Sequence, residues 1–391
     1  MDKRKINTVE EYVEELKKGM GKVYVNEWGA HMAGPKWPRP MFGFNKEVTW
    51  DSLRHYADGI GDLNPLYRDR EYAKKTKYNC VVGPPTILLT IASANYPDPP
   101  GFPPPPEFPE LYVSEEYELF SPICQGEELD WKSTFPTEIR VKKSKSMGTV
   151  AFMDGNIEFT RHRGGIPIAR SNFSIVVYKA SDRRKDRTKP VYTEEYIKKV
   201  YETQDNETVR GATPRYWEDV HVGEKLMPVV RGPLTTMDSV AYIRGGVAEW
   251  HYSADRLYRY AYEQCGWGIY DPDFKIYRNF KEESDTTAGG GPMAPYRISL
   301  MGLLLTNWVG DDGFIWKFRT EMRKTLGPGV VLWCKGEVVN KYMLDGRYCV
   351  DVECVMEDQN GQAGIQPTKA TIILPSREHG PVVYPSPRPQ K

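Results

Sequence analysis

The chain repeats itself, and that feature limits its possible folds more than any other. DSLRHYADGIGD begins at Asp51, and a similar stretch, DSVAYIRGGVAE, begins at Asp238, 187 residues later (238 minus 51). FSPICQGEEL around Pro122 has a counterpart in LGPGVVLWCK around Pro328, at an offset of 206 (328 minus 122). RHRGGIPIARS around Pro167 is answered by DQNGQAGIQPTKA around Pro367, at an offset of 200 (367 minus 167). Recurrence of landmarks in one order marks a duplicated unit. The longer insert of the second half is CGWGIYDPDFKIYRNFKEESDTTAGGG. A length of 391 residues suits two cores of ordinary size. Domains are therefore expected over residues 1–190 and 210–391, with the charged stretch KASDRRKDRTKPVYTEEY at 179–196 as linker.

Each half runs through the same kinds of segment. A helical stretch ending in a polar turn comes first. A small apolar helix is predicted next, VVGPPTILLTIASA in the first half and GPMAPYRISLMGLLLTNW in the second. Strands follow: GTVAFMDGNIEFTR, RSNFSIVVYKA, VVLWCKGEVVNKY, RYCVDVECVMED and ATIILPS. One buried helix followed by antiparallel strands is an α+β pattern, and a helix apolar nearly all round has to be wrapped by a sheet. PDPPGFPPPPEFP at 97–109 reads as a stiff spacer.

Composition narrows the partners. Lys plus Arg and Asp plus Glu are 53 each, so no basic excess is available to neutralise phosphates, and a nucleic-acid partner is not expected. No apolar run is long enough to span a bilayer, and the charged MDKRKINTVEEYVEELKKG lacks the apolar stretch of a secretory signal. A cytoplasmic protein without a membrane partner is expected. The cysteines at 80, 124, 265, 334, 349 and 354 form no CxxC pair, and the six histidines form no HExxH cluster, so neither disulfides nor a catalytic metal is expected.

The sharpest local signal is YADGIGDLNPLYRDREYAKKT, from Tyr56 to Thr76. Asp62, Asn64 and Pro65 fall in a Gly- and Pro-punctuated turn, which should present polar groups. Gly61-Asp62-x-Asn64-Pro65 resembles the G-D-x-N-P-x-H motif of the MaoC-like acyl dehydratases and (R)-specific enoyl-CoA hydratases. VVGPPTILL looks like the start of the central helix in that family's FAS1-like N-terminal dehydratase domain. GLLLTNWVGDDGFIWKFRTEMRKTLGPG looks like the helix-to-strand passage of the C-terminal partner domain. The resemblance implies a tandem hot-dog fold, each half a long helix wrapped by a curved antiparallel sheet. It also implies an acyl-CoA bound where two such units meet edge to edge. The implied reaction is reversible hydration of an enoyl-CoA to a 3-hydroxyacyl-CoA. A carboxylate takes the proton of water, an imidazole handles the proton at the α-carbon, and backbone N–H groups hold the enolate oxygen. No cofactor is needed, because the thioester itself acidifies the α-proton and CoA is only the carrier.

Here the sequence departs from the pattern, since Tyr67 stands where the motif has histidine. A phenol is a poorer proton shuttle at neutral pH, though it can donate a hydrogen bond, so the first site reads as a degenerate, substrate-binding one. In the second half His251 falls in the corresponding neighbourhood, with Glu249 two residues earlier as a carboxylate. The Asn-Pro pair is missing there, and an ordinary hydrogen-bonded histidine fits the same residues. Gly83 and Thr86 are the oxyanion donors expected beside Pro84 and Pro85, which have no N–H. In the second half Gly290, Gly291 and Met293 fill that role, and the small residues there favour the second half as the working site. Asn64 completes the expected substrate-binding set. His55 reads as a helix-face residue, and Asp311-Asp312-Gly313 as a turn. A thioesterase on the same scaffold and a non-catalytic partner subunit remain alternatives, and a homo-oligomer is compatible with the family.

Overall fold

The protein's structure is a computed structural model, which describes residues 6–25, 45–92, 108, 110–179, 181, 190–245 and 294–387. The first half begins with α1 (Val9–Lys17), β1 (Val23–Val25) and α2 (Trp50–Ile60), followed by the one-turn helices α3 (Pro65–Arg68) and α4 (Arg70–Ala73). Next come β2 (Val82–Gly83), a 3₁₀ turn at Pro85–Thr90, β3 (Glu110–Leu119) and β4 (Ile123–Cys124). The long strands β5 (Leu129–Ser144), β6 (Gly148–Arg161) and β7 (Pro167–Tyr178) close the half. The second half contains α5 (Glu194–Asp205), β8 (Val229–Arg231), α6 (Thr236–Arg244) and α7 (Ala294–Val309), then β9 (Phe314–Glu321), β10 (Leu332–Leu344), β11 (Arg347–Glu357) and β12 (Ala363–Ile373).

Ten strands form one continuous sheet in the order β1-β5-β6-β7-β3-β9-β12-β11-β10-β8. Read from either edge, the order is the same once each first-half strand is exchanged for its second-half counterpart. The duplication seen in sequence is therefore a structural one, and the chain is a tandem hot-dog. The strands expected from alternating apolar residues are β6, β7, β10, β11 and β12. The seam is the antiparallel pairing of β3 with β9, from Ser114 opposite Glu321 to Glu118 opposite Lys317. On the inner face Tyr117 stacks on Phe318 at 5.2 Å. On the outer face Glu116 meets Arg319 at 3.4 Å and Glu118 meets Lys317 at 3.3 Å.

The repeated segments beginning at Asp51 and Asp238 supply α2 and α6, which pack against each other, with the Tyr56 and Tyr242 rings 6.2 Å apart. The Thr49 hydroxyl caps α2 by accepting from the Ser52 N–H at 3.0 Å, and Gly61 ends it at φ +68°, a left-handed position that glycine adopts without strain. Thr235 and Asp238 form a capping box at the start of α6. A Cβ on Gly59 would come 2.9 Å from the Ala241 carbonyl oxygen, so the missing side chain is what admits the neighbouring backbone.

Helix α7 is the core of the second half. Every residue from Pro295 to Val309 is buried, as an all-round apolar helix requires. Each fully buried Leu or Ile, such as Leu300, Leu304 and Ile298, contributes about 1.5–3 kcal/mol relative to exposure. Its hydroxyls are satisfied within the helix, Ser299 donating to the Pro295 carbonyl at 2.8 Å and Thr306 to the Leu303 carbonyl at 3.1 Å. The first half differs from expectation here. VVGPPTILLTIASA opens as strand β2, and its next turn is 3₁₀ rather than α. Pro84 and Pro85 supply no N–H, and Pro85 holds the residue before it extended (φ −59°, ψ 151°).

Parts of the expected linker and the Pro-rich segment lie outside the described residues. Within the first, Thr193 caps α5; within the second, Phe108 is buried and stacks on Tyr12 at 5.7 Å. No helix among the described residues is long and apolar enough to cross a membrane. The five described cysteines are free, and Cys265 lies outside the described residues.

Candidate functional site

The dehydratase-type motif folds as two linked Asx turns. The Asp62 N–H donates to the Ala57 carbonyl at 2.8 Å as α2 ends. Asp62 Oδ1 then accepts from the Asn64 N–H at 2.8 Å, and Asn64 Oδ1 accepts from the Leu66 N–H at 3.0 Å, capping α3. Pro65 occupies the first position of α3, where a missing N–H costs nothing. The sequence suggested that this turn presents its polar groups, but Asp62 and Asn64 are buried, at 0% and 2% exposure. Short Asx side chains bond to the local backbone and so turn inward. Asn64 is thereby a cap.

Both halves anchor the turn. Arg68 donates to the Asp62 carbonyl at 2.7 Å and pairs with Asp58 at 2.7 Å. From β8, Arg231 donates to the Ile60 carbonyl at 3.0 Å and the Gly61 carbonyl at 2.8 Å. The same guanidinium pairs with Glu207 at 2.6 Å, and Asn307 of α7 donates to Glu207 at 3.0 Å.

Asp62 Oδ2 has no hydrogen-bond partner. Burial raises the Asp62 pKa from the ordinary 3.8, against the Asn64 N–H; Glu207 adds to the rise while Arg231 and Arg68 oppose it, and the net value is about 7. Tyr67 lies five residues on, buried with Leu66 and Val82, and its phenol is in hydrogen-bond reach of the Thr306 hydroxyl. Burial first, then Asp62 and Asp311, hold the phenol well above its ordinary value, so it stays an O–H donor near neutrality.

Beside Tyr67 lies a narrow cleft with about 60 Å³ of free interior, built across the halves. Tyr67, Tyr78, Gly83 and Ser121 line it from the first half, and Thr306 and Asp311 from the second. Asp62 is not among the lining residues. Gly83, an expected oxyanion donor, does line the cleft; a Cβ there would meet Ile87 at 2.8 Å. Thr86, the other expected donor, does not line it. It is fully buried, and a Cβ on Gly302 of α7 would come within 2.7 Å of its methyl group, so Thr86 is a contact residue between the halves. His55 contacts Arg54 at 3.0 Å. Glu249, His251, Gly290, Gly291 and Met293 lie outside the described residues. Among the described residues no group of three or more His, Cys, Asp or Glu is placed to hold a metal.

The sequence marks Asp311 only as part of a turn, which it is, but the residue is also buried, at 5% exposure, in the cleft wall. Gly310 at φ +75° turns the chain out of α7, and the Asp311 N–H donates to the Gly211 carbonyl at 3.0 Å. Its Oδ2 accepts from the Tyr72 phenol at 2.6 Å, and its backbone carbonyl accepts from Tyr78 at 3.1 Å. Oδ1 has no partner. The only sequence signal for it was position, immediately after the apolar helix.

Residues 40–169 match the family described as FAS1-like, dehydratase domain region. A UPF0336 protein of Thermobifida fusca (strain YX) is 48% identical over 50 residues, 12% of this chain and 33% of that protein, so the match spans a third of that relative. A UPF0336 protein of Parafrankia sp. (strain EAN1pec) is 30% identical over 132 residues, 33% of this chain and 83% of that protein. Among solved structures, a MaoC-like dehydratase superposes with a TM-score of 0.56 at 14% identity, covering 91% of this chain and 99% of that one. A MaoC domain protein dehydratase from Chloroflexus aurantiacus J-10-fl gives 0.54 at 11% identity, covering 96% and 99%. At such identities the structural likeness is one of fold.

Proposed function

Because this chain belongs to the UPF0336 family and carries a FAS1-like dehydratase region, we propose that it is an acyl-thioester hydratase or dehydratase, acting between an enoyl-CoA and the 3-hydroxyacyl-CoA. The observation that carries this reading is Asp62, a fully buried carboxyl with one free oxygen and a pKa raised to about 7, at the carboxylate position of the dehydratase-type motif. Such a group can accept and return a proton at neutral pH, which an ordinary aspartate with a value of 3.8 does poorly.

In the hydration direction the Asp62 carboxylate takes a proton from water as the water oxygen bonds to the β-carbon. The π pair moves toward the thioester as an enolate, and the α-carbon then gains a proton. Tyr67, held protonated, donates a hydrogen bond in this reaction. The second-half pair Glu249 and His251 is the proposed counterpart at the other site, and CoA serves as carrier.

The test is loss of the conjugated enoyl-CoA absorbance on adding protein. Asp62→Asn should lower that rate by at least about a hundredfold. Release of free thiol with the double bond intact would replace this reading with a thioesterase. Full activity in Asp62→Asn together with loss in His251→Ala would move the chemistry to the second half.

A further inference from the structure

The motif leaves one duty without an owner. With Tyr67 in the histidine position, no imidazole among the described residues of the first half lines the cleft, yet the α-carbon must gain or lose a proton in every turnover. The cleft wall does contain an ionisable group of suitable chemistry. Asp311 lines it, is buried, and keeps Oδ1 free of any hydrogen bond while Oδ2 is fixed by the Tyr72 phenol at 2.6 Å. Its backbone is pinned at N–H by Gly211 and at the carbonyl by Tyr78, so the carboxyl has little freedom to swing away. Tyr67 and Thr306 stand in the same cleft wall.

Resting on the hydratase reading above, we infer that Asp311, contributed by the second half, is the group that exchanges the α-carbon proton in the first-half cleft. The site is then built across the seam, with the motif from one half and the α-carbon acid from the other. In hydration the protonated Asp311 gives its proton to the α-carbon as the enolate pair forms the new C–H bond. Asp62 meanwhile holds the proton taken from water, and that proton returns to Asp311 through solvent, so the enzyme ends as it began. Burial raises the Asp311 pKa above the ordinary carboxylate value against the Tyr72 hydrogen bond; Asp312 adds to the rise and Lys77 opposes it. Asp311 is faced by Tyr72, Lys77 and Tyr78 from the first half, with Tyr67 lining the same cleft and Asp312 beside it; Tyr384 contacts Tyr78.

Exchange separates this duty from hydration. A saturated thioester, butanoyl-CoA, has α-protons but no double bond to hydrate. Incubated with the full chain in D₂O, it should gain deuterium at the α-carbon, read by mass spectrometry. Asp311→Asn should lose that exchange by at least about a hundredfold. Wild-type-like exchange in a folded Asp311→Asn protein overturns the inference and leaves the hydratase reading standing. A wild-type chain that neither hydrates an enoyl-CoA nor exchanges overturns both. Should Asp311→Asn fail to fold, Tyr72→Phe decides. Removing the phenol withdraws a hydrogen bond that favours the Asp311 carboxylate, so the acidic limb of the exchange profile should move to higher pH; an unmoved limb overturns the inference.

Discussion

The two halves share an arrangement of strands but differ in what they do with it. In the second half the central segment is a 16-residue α-helix, α7, buried at every residue from Pro295 to Val309. In the first half the corresponding segment starts with Pro84 and Pro85 and makes a 3₁₀ turn, while the preceding motif carries the buried carboxyl and the capping asparagine. Duplication thus preserved the sheet while the halves came to contribute different residues around the proposed site. The first supplies Tyr67 to the cleft and Asp62 to the buried turn that precedes it, and the second supplies the helix end with Thr306 and Asp311. Arg231 and Glu207 tie the two, bridging the motif turn to α7 through Asn307.

Three changes would break or sharpen this comparison. The largest effect is expected from Leu304→Ala in α7. That residue has no exposure and belongs to a core cluster that includes Leu53, Ile87 and Phe159 of the first half. It should cost about 4 kcal/mol and lower a single cooperative unfolding transition. Two separate transitions in calorimetry would show instead that the halves stand independently.

The next concerns the seam. Glu115 of β3 is buried, with Ser171 donating to Oε1 and Oε2 unpartnered, and burial pushes its pKa from 4.5 up to about 8. Between those values the unfolded chain ionises while the folded chain stays protonated. The folded state therefore binds more protons, and stability should fall as pH rises from about 4.5 to 8. Glu115→Gln should flatten that slope and stabilise the protein near pH 8 by on the order of 3 kcal/mol. Thermal melts across that range check it, and an unchanged slope counts against a protonated seam.

The smallest effect is expected for Arg319→Ala. The Arg319 side chain is 46% exposed and meets Glu116 across the seam at 3.4 Å, so its loss should cost no more than about 0.5 kcal/mol in a denaturant titration. A much larger cost would mean that the seam relies on its outer charges rather than on the Tyr117–Phe318 stack and the backbone ladder.

Much of the architecture was legible because periodicity and order are local or repeated properties. Asp51 and Asp238 marked α2 and α6, and GTVAFMDGNIEFTR is strand β6 residue for residue. The α7 helix announced itself by being apolar on every side. What was not legible depended on contacts between distant residues. Asp311 meets Tyr72, 239 residues away, and no local pattern tells a surface Asp-Asp-Gly turn from one whose first carboxyl is buried against another half. Asp62 and Asn64 carried the right residue types, but the direction of their oxygens is set by backbone N–H groups that become available only once α2 ends and α3 begins. Thr86 had the right neighbours in sequence; the crossing of Gly302 gave it a different task.

Joining β3 and β9 within one polypeptide also changes how the assembly responds to dilution. Two separate hot-dog subunits would meet by mass action, and their shared cleft would empty as protein concentration fell below the dissociation constant. A covalent tether makes that encounter intramolecular, with an effective concentration set by the connecting chain rather than by the amount of protein present. The cleft between the halves should accordingly persist at any protein concentration at which the chain itself stays folded.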